Sequence, residues 1–304
     1  MVHQSSKPSK ALVWLTAIFL LALTTISGIK IILSLNDSNN QIENPSEQPE
    51  EPEEETPEPE EVINDTPAFI DLQAIVDSWA SSLGSNAGVY IYDLDNDKEA
   101  AIYNSDTTFS TASVYKLFFV YEAYLRINQG IDDPNAYFAD GKTRIECLDL
   151  IIRESYNPCA DPLRAEMKYE IDDIIANKFK IEDTINGALS ASPKAVGDML
   201  KIYYKHEGLS DELWGKIADS MLNQPATTYD WRQGLPKGFS AANVYNKVGW
   251  SYDGERWTIY NDAAIVEFPD LDRHYIVVAL TRNTSNRKLV ELGQKIEQTI
   301  LANN

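Results

Sequence analysis

Ser113 opens an apolar stretch, and Lys116 stands three residues later within it, among Val114, Tyr115, Leu117, Phe118 and Phe119. A serine hydroxyl is a weak nucleophile until a neighbouring group takes its proton. A lysine can do so when burial disfavours its ammonium and draws its pKa toward neutrality. Three residues make about 300° of helical turn, so the two side chains share a face. A helix start adds a positive dipole end and unpaired backbone N–H groups, both favourable to a developing oxyanion. The plainer reading is a helix cap followed by a lysine whose amine reaches solvent. The bare S-x-x-K pattern also occurs from Ser27 to Lys30 and from Ser285 to Lys288, but neither of those opens a buried helix.

Two more stretches could complete an acyl-transfer site. Ser155 and Asn157 flank Tyr156 between two helical patterns, and Pro158 suits the first position of the second helix. A hydroxyl and an amide there could relay a proton to a leaving nitrogen and hold a substrate amide; the alternative is a plain turn. Lys247, Gly249 and Trp250 end a strand pattern. A fixed positive charge at Lys247 would depress Lys116 further and attract an anionic substrate group. Gly249 would permit close backbone approach, and the Trp250 N–H could serve as an oxyanion donor. The folded part holds two histidines, His206 and His274, both expected at the surface, so a Ser-His-Asp triad has little support. Nothing points to a metal site or a cofactor.

These residues need a frame. Apolar periodicity predicts a first helix over Asp71 to Leu83, then strands Gly88 to Leu94 and Glu99 to Tyr103. A helical block follows: Ser113 to Gln129, Arg144 to Glu154, Pro158 to Met167, Ile171 to Phe179, Pro193 to His206 and Ser210 to Leu222. Strands return at Val244 to Val248, Trp257 to Ile259, Ala263 to Phe268 and Tyr275 to Thr281, and Lys288 to Leu301 closes as a helix. Short connections among the late strands favour antiparallel hairpins with both chain ends packed on one sheet face.

The ordered set S-x-x-K (Ser113, Lys116), S-x-N (Ser155, Asn157) and K-x-G (Lys247, Gly249) resembles that of penicillin-binding proteins and class A β-lactamases. Softer echoes are Arg232 to Gly238 before the strand and Asn261 to Val266 after it. The resemblance spans about residues 70 to 300. It implies an α/β (α+β) fold of the β-lactamase/transpeptidase type: a five-stranded antiparallel sheet flanked by terminal helices, plus a helical lobe. By this likeness Ser113 is acylated, Lys116 and Ser155 move protons, Asn157 positions a β-lactam or peptidoglycan-type substrate, and Lys247 binds its carboxylate. The chain departs from the class A pattern at Tyr156, usually aspartate, and at Val248, usually threonine or serine. It also lacks the E-x-x-L-N loop whose glutamate activates water for deacylation: Glu166 lies in the helix after Asn157, and Glu182 belongs to a turn. Slow deacylation is the expectation.

The rest of the chain concerns location. Ala11 to Ile29 carries no charge, long enough to cross a ~30 Å hydrocarbon core. Residues 11–35 therefore read as a transmembrane anchor and 1–10 as a cytoplasmic tail, with Lys7 and Lys10 on the inner side; a cleaved signal peptide is the alternative. Residues 36–67, centred on PEEPEEETPEPEE, read as a disordered acidic linker, and 68–304 as one extracytoplasmic domain, expected to be a monomer. The linker carries about half of the net charge of −21, and the acidic remainder excludes nucleic acid as a partner. Cys147 and Cys159 match no zinc spacing and could pair in an oxidising compartment.

Overall fold

The computed structural model describes residues 67–224 and 232–304. The proposed tail, anchor and nearly all of the linker lie outside the described residues, among which no helix is long and apolar enough to cross a membrane. All described elements belong to the unit Val62–Asn304.

Helix α1 (Gln73–Ala80) leads into strands β1 (Ala87–Asp93), β2 (Lys98–Tyr103) and the short β3 (Phe109–Ser110). A 3-10 turn, Ala112–Tyr115, runs into α2 (Lys116–Asn128). Then come a small hairpin, β4 (Tyr137–Ala139) and β5 (Lys142–Thr143), and helices α3 (Arg144–Arg153), α4 (Asn157–Met167) and α5 (Ile171–Asp173). Short strands β6 (Thr184–Ile185) and β7 (Ser190–Ala191) precede α6 (Pro193–Lys205) and α7 (Asp211–Leu222). The chain ends with β8 (Asn243–Tyr252), β9 (Trp257–Phe268), β10 (Arg273–Thr281) and α8 (Asn286–Ala302).

The main sheet runs β2-β1-β10-β9-β8, antiparallel throughout. Its central strand β10 is buried almost end to end, which explains its unbroken apolar run. Tyr275, Val277 and Ala279 enter the layer formed with α1 and α8. Ile276, Val278 and Leu280 enter the core shared with the helical lobe. The Trp79 indole donates to the Lys288 carbonyl at 2.7 Å, tying the first helix to the last.

Four local expectations change. Trp257 to Ile259 and Ala263 to Phe268, expected as separate strands, form the single strand β9. The polar residues between them, Asn261 and Asp262, are fully buried and hydrogen-bonded, so they continue the ladder instead of turning out of it. The helix expected from Ser113 starts as a 3-10 turn, and the stretch Ile171 to Phe179 is a short α turn followed by the π turn Ile174–Lys178. His206 and His274, expected at the surface, are half-buried, the first against Trp214 and the second bonded to Asp95.

Candidate active site

Ser113 sits in the 3-10 turn, where side chains three apart eclipse, so Ser113 and Lys116 stack on one face. The turn is pinned from behind. Buried Thr111 donates its N–H to Leu189 O at 3.0 Å and its hydroxyl to Ala188 O at 2.6 Å. From β9, the Asn261 amide donates to Ser110 O at 2.8 Å. Between these anchors Ala112 adopts a left-handed φ of 45°, a strained conformation costing about 1–2 kcal/mol without glycine. Ser155 has the same feature, with φ 57°.

Lys116 is 1% exposed, which rules out a snorkelling amine. Its Nζ donates to Ser155 O and Asn157 Oδ1, each at 2.7 Å, and contacts Ser155 Oγ at 3.2 Å. Burial lowers its pKa to about 8, partly opposed by the negative charge of Asp161. From the opposite side Lys247 Nζ reaches Ser155 Oγ at 3.0 Å and Val248 O at 3.1 Å. The Ser155 hydroxyl thus bridges two amines. The expectation of a fixed charge at Lys247 needs correction. Burial pushes its pKa well below the ordinary lysine value, repulsion from Lys116 pushes it further, and Asp262 only partly opposes them.

The S-x-N loop is held on both flanks. Asn157 is the first residue of α4, with Pro158 next, and the Tyr156 N–H donates to Leu150 O at 3.2 Å. The Tyr156 hydroxyl donates to the Asp140 carboxylate. A disulfide between Cys147 of α3 and Cys159 of α4, with Cα atoms 5.3 Å apart, encloses the motif.

Strand β8 closes the site from the sheet side. A Cβ on Gly249 would lie 2.1 Å from Thr111 O and 2.9 Å from Val114 Cγ2, so only glycine lets this edge strand press against the turn carrying Ser113. Val244 O and Asn246 O point off the free edge of β8, accepting from Arg232 at 3.2 Å and Gln224 at 2.7 Å. Residues of the same parity send N–H and C=O to the same edge. The Trp250 N–H therefore points off that edge too, beside the turn carrying Ser113, where two amides can receive an oxyanion. Behind the strand, fully buried Asp262 accepts from Asn246 Nδ2 at 2.8 Å and Leu235 N at 2.9 Å. Burial raises its pKa to about 6 against these bonds and the charges of Arg232 and Lys247.

The fold thus brings Ser113, Lys116, Ser155, Asn157, Lys247, Gly249 and Trp250 to one place. Among the described residues, however, the Ser113 hydroxyl forms no hydrogen bond. Likewise, among them no carboxylate hydrogen-bonds Ser113, Lys116 or Ser155. Glu166 pairs with Arg144 at 3.0 Å, and Glu182 is exposed. No group of three or more His, Cys, Asp or Glu suited to a metal occurs among the described residues. Sequence reading missed Asp161, whose signal is its place one helical turn beyond Asn157, and Asp140, which lies in a distant turn and leaves no local signal.

A family model described as the β-lactamase enzyme family matches residues 71–137 and 147–303. No curated protein matches the chain in sequence. Among solved structures, the TLA-1 extended-spectrum β-lactamase aligns with a TM-score of 0.66 at 14% identity, covering 75% of this chain and 98% of that one. A β-lactamase from Chitinophaga pinensis aligns at 0.64 with 18% identity, covering 75% and 98%. The protein PBP-A aligns at 0.64 with 17% identity, covering 78% and 99%. At these identities the likeness is one of fold.

Proposed function

Because the chain belongs to the β-lactamase enzyme family, we propose that its folded domain is a serine hydrolase that forms an acyl-enzyme with β-lactam or peptidoglycan-type amides through Ser113. The observation carrying this reading is the row of polar groups Lys116, Ser155 and Lys247, joined at 3.2 and 3.0 Å beneath the nucleophile's turn. A mutant of the structural neighbour PBP-A has been solved as an acyl-enzyme complex with penicillin G.

In this mechanism the Lys116 amine, neutral in a useful fraction of molecules, takes the Ser113 proton as Oγ attacks the amide carbonyl. The oxyanion settles between the Ser113 and Trp250 N–H groups. The proton passes through Ser155 to the leaving nitrogen, Asn157 holds the substrate amide, and Lys247 gains its full charge when a substrate carboxylate arrives. Deacylation is slow because, among the described residues, no carboxylate hydrogen-bonds Ser113, Lys116 or Ser155 to activate water.

We place this domain outside the cytoplasmic membrane, carried by an anchor over residues 11–35. At ~3.1 Å per residue, Pro-rich chain of this length could hold the domain up to roughly 90 Å away, a reach suited to cell-wall substrate. Intact mass after incubation with benzylpenicillin tests the chemistry. A single adduct on wild type and none on Ser113→Ala is expected; an unmodified wild type, or equal labelling of the variant, overturns the reading.

One observation favours a second reading, a wall-binding or sensor domain that does no chemistry: the Ser113 hydroxyl takes no part in the Lys116 network. That reading predicts reversible penicillin binding with no mass shift.

A further inference from the structure

A second concave site lies on the same face of the sheet as Lys247. Tyr204 at the end of α6, Trp214 of α7 and Tyr245 of β8 wall a cavity of about 150 Å³, with Ile265 and Glu267 of β9 and His274 of β10 completing its lining. Lys247 pairs with Ala263 on β9, and Glu267 is four residues further along, roughly 13 Å away at ~3.3 Å per residue. The cavity is therefore separate from the serine site.

One of its carboxylate oxygens lacks a hydrogen-bond donor among the described residues. Glu267 Oε2 accepts from the Tyr245 hydroxyl at 3.1 Å and from Asn243 Nδ2 at 3.2 Å. Oε1 receives no hydrogen bond among the described residues; His274 Nε2 lies 4.0 Å from it. The Asp95 carboxylate holds His274 Nδ1 at 2.9 Å and accepts its backbone N–H at 2.8 Å. Glu267 Oε1 and His274 Nε2 face each other across a gap too wide for a hydrogen bond.

The surroundings favour a cation. No lysine or arginine lines the cavity. Burial raises the pKa of the Tyr204 hydroxyl, and the charges of Asp95, Glu267 and Asp272 raise it further. Tyr245 is pushed up to about 12 by burial and by Glu267. Aromatic faces attract ammonium groups, most strongly where water is partly excluded.

We propose that this cavity binds an alkylammonium group, a protonated primary amine whose N–H donors reach Glu267 Oε1 while its carbon chain lies along the Tyr204, Trp214 and Tyr245 rings. The amine belongs either to a free small molecule or to a lysine-like side chain in a peptide. The proposal stands independently of the acyl-transfer chemistry at Ser113.

The test is an NMR titration of the full-length protein, following the Trp214 indole resonance, with n-butylammonium, Nα-acetyl-lysinamide and the neutral 1-butanol. Saturable shifts with at least one amine, and none with 1-butanol, are expected. Glu267→Gln should weaken binding about tenfold or more, and loss of an aromatic wall in Trp214→Leu should weaken it several-fold, followed by ligand-observed saturation transfer. Tighter binding of the lysinamide identifies a peptide source; equal or weaker binding identifies a free amine. The proposal is overturned if 1-butanol binds as well as the amines, if neither amine binds at about 100 mM, or if Glu267→Gln binds like wild type. Near-UV circular dichroism checks that each variant is folded, and should Glu267→Gln fail that check, Trp214→Leu carries the comparison.

Discussion

Lys116 and Lys247 direct their amines at one oxygen, the Ser155 hydroxyl, from 3.2 and 3.0 Å. Two ammonium groups so placed would repel each other in a buried space, so the unliganded site holds its protons loosely. An anionic substrate changes that balance by giving one of the two a partner.

Lys116→Met keeps the volume and removes the base. Acylation by benzylpenicillin should slow by roughly 10²–10⁴-fold, the usual contribution of a positioned base. Time-resolved intact mass measures the rate, and a parallel melting curve separates lost chemistry from lost fold.

The acylation rate should rise with pH and level off, with its midpoint near the Lys116 pKa of about 8, because only the neutral amine accepts the Ser113 proton. A rate that falls across that range would assign the proton transfer elsewhere. For stability the sign is set by the same depression: the folded value is below the ordinary 10.5, so Lys116's contribution is full above that value and is lost as pH falls through about 8.

Nitrocefin should give a burst of about one equivalent of product per protein, followed by a slow steady phase limited by acyl-enzyme hydrolysis. Rapid linear turnover from the first seconds would mean that some group other than Glu166 or Glu182 activates water.

Gly249→Ala should cut acylation by at least about tenfold, since its Cβ would lie 2.1 Å from Thr111 O and push β8 away from the Ser113 turn. Stopped-flow acylation reads the loss. Wild-type rates would show that the turn and strand can part without cost.

Asp262→Ala leaves Leu235 N and the Asn246 side chain without their acceptor in a fully buried place. A loss of about 2–4 kcal/mol in urea unfolding is expected.

Much of this was legible in the chain itself, for identifiable reasons. Lys116 betrayed the site because an ammonium amid five apolar residues has no cheap structural explanation, and the two later motifs gained meaning only in order with it. The central strand was readable because Tyr275 to Thr281 is apolar on both faces. Strand β9 was misread because Asn261 and Asp262 look like a turn. Their burial depends on Ser110, Thr281, Leu235 and Asn246, contacts that local sequence does not encode. The depressed pKa of Lys247 was missed for the same reason: enclosure is made by distant segments meeting over it. The aromatic cavity draws six residues from five elements, so no window of sequence contains it.

The covalent link between Cys147 and Cys159 has a bearing on timing. It forms only where an oxidant is at hand, and the span it closes contains the hydroxyl and amide that touch Lys116. A copy in a reducing environment would have those groups on an unfastened loop, so completion of the site waits on the oxidation of these two thiols.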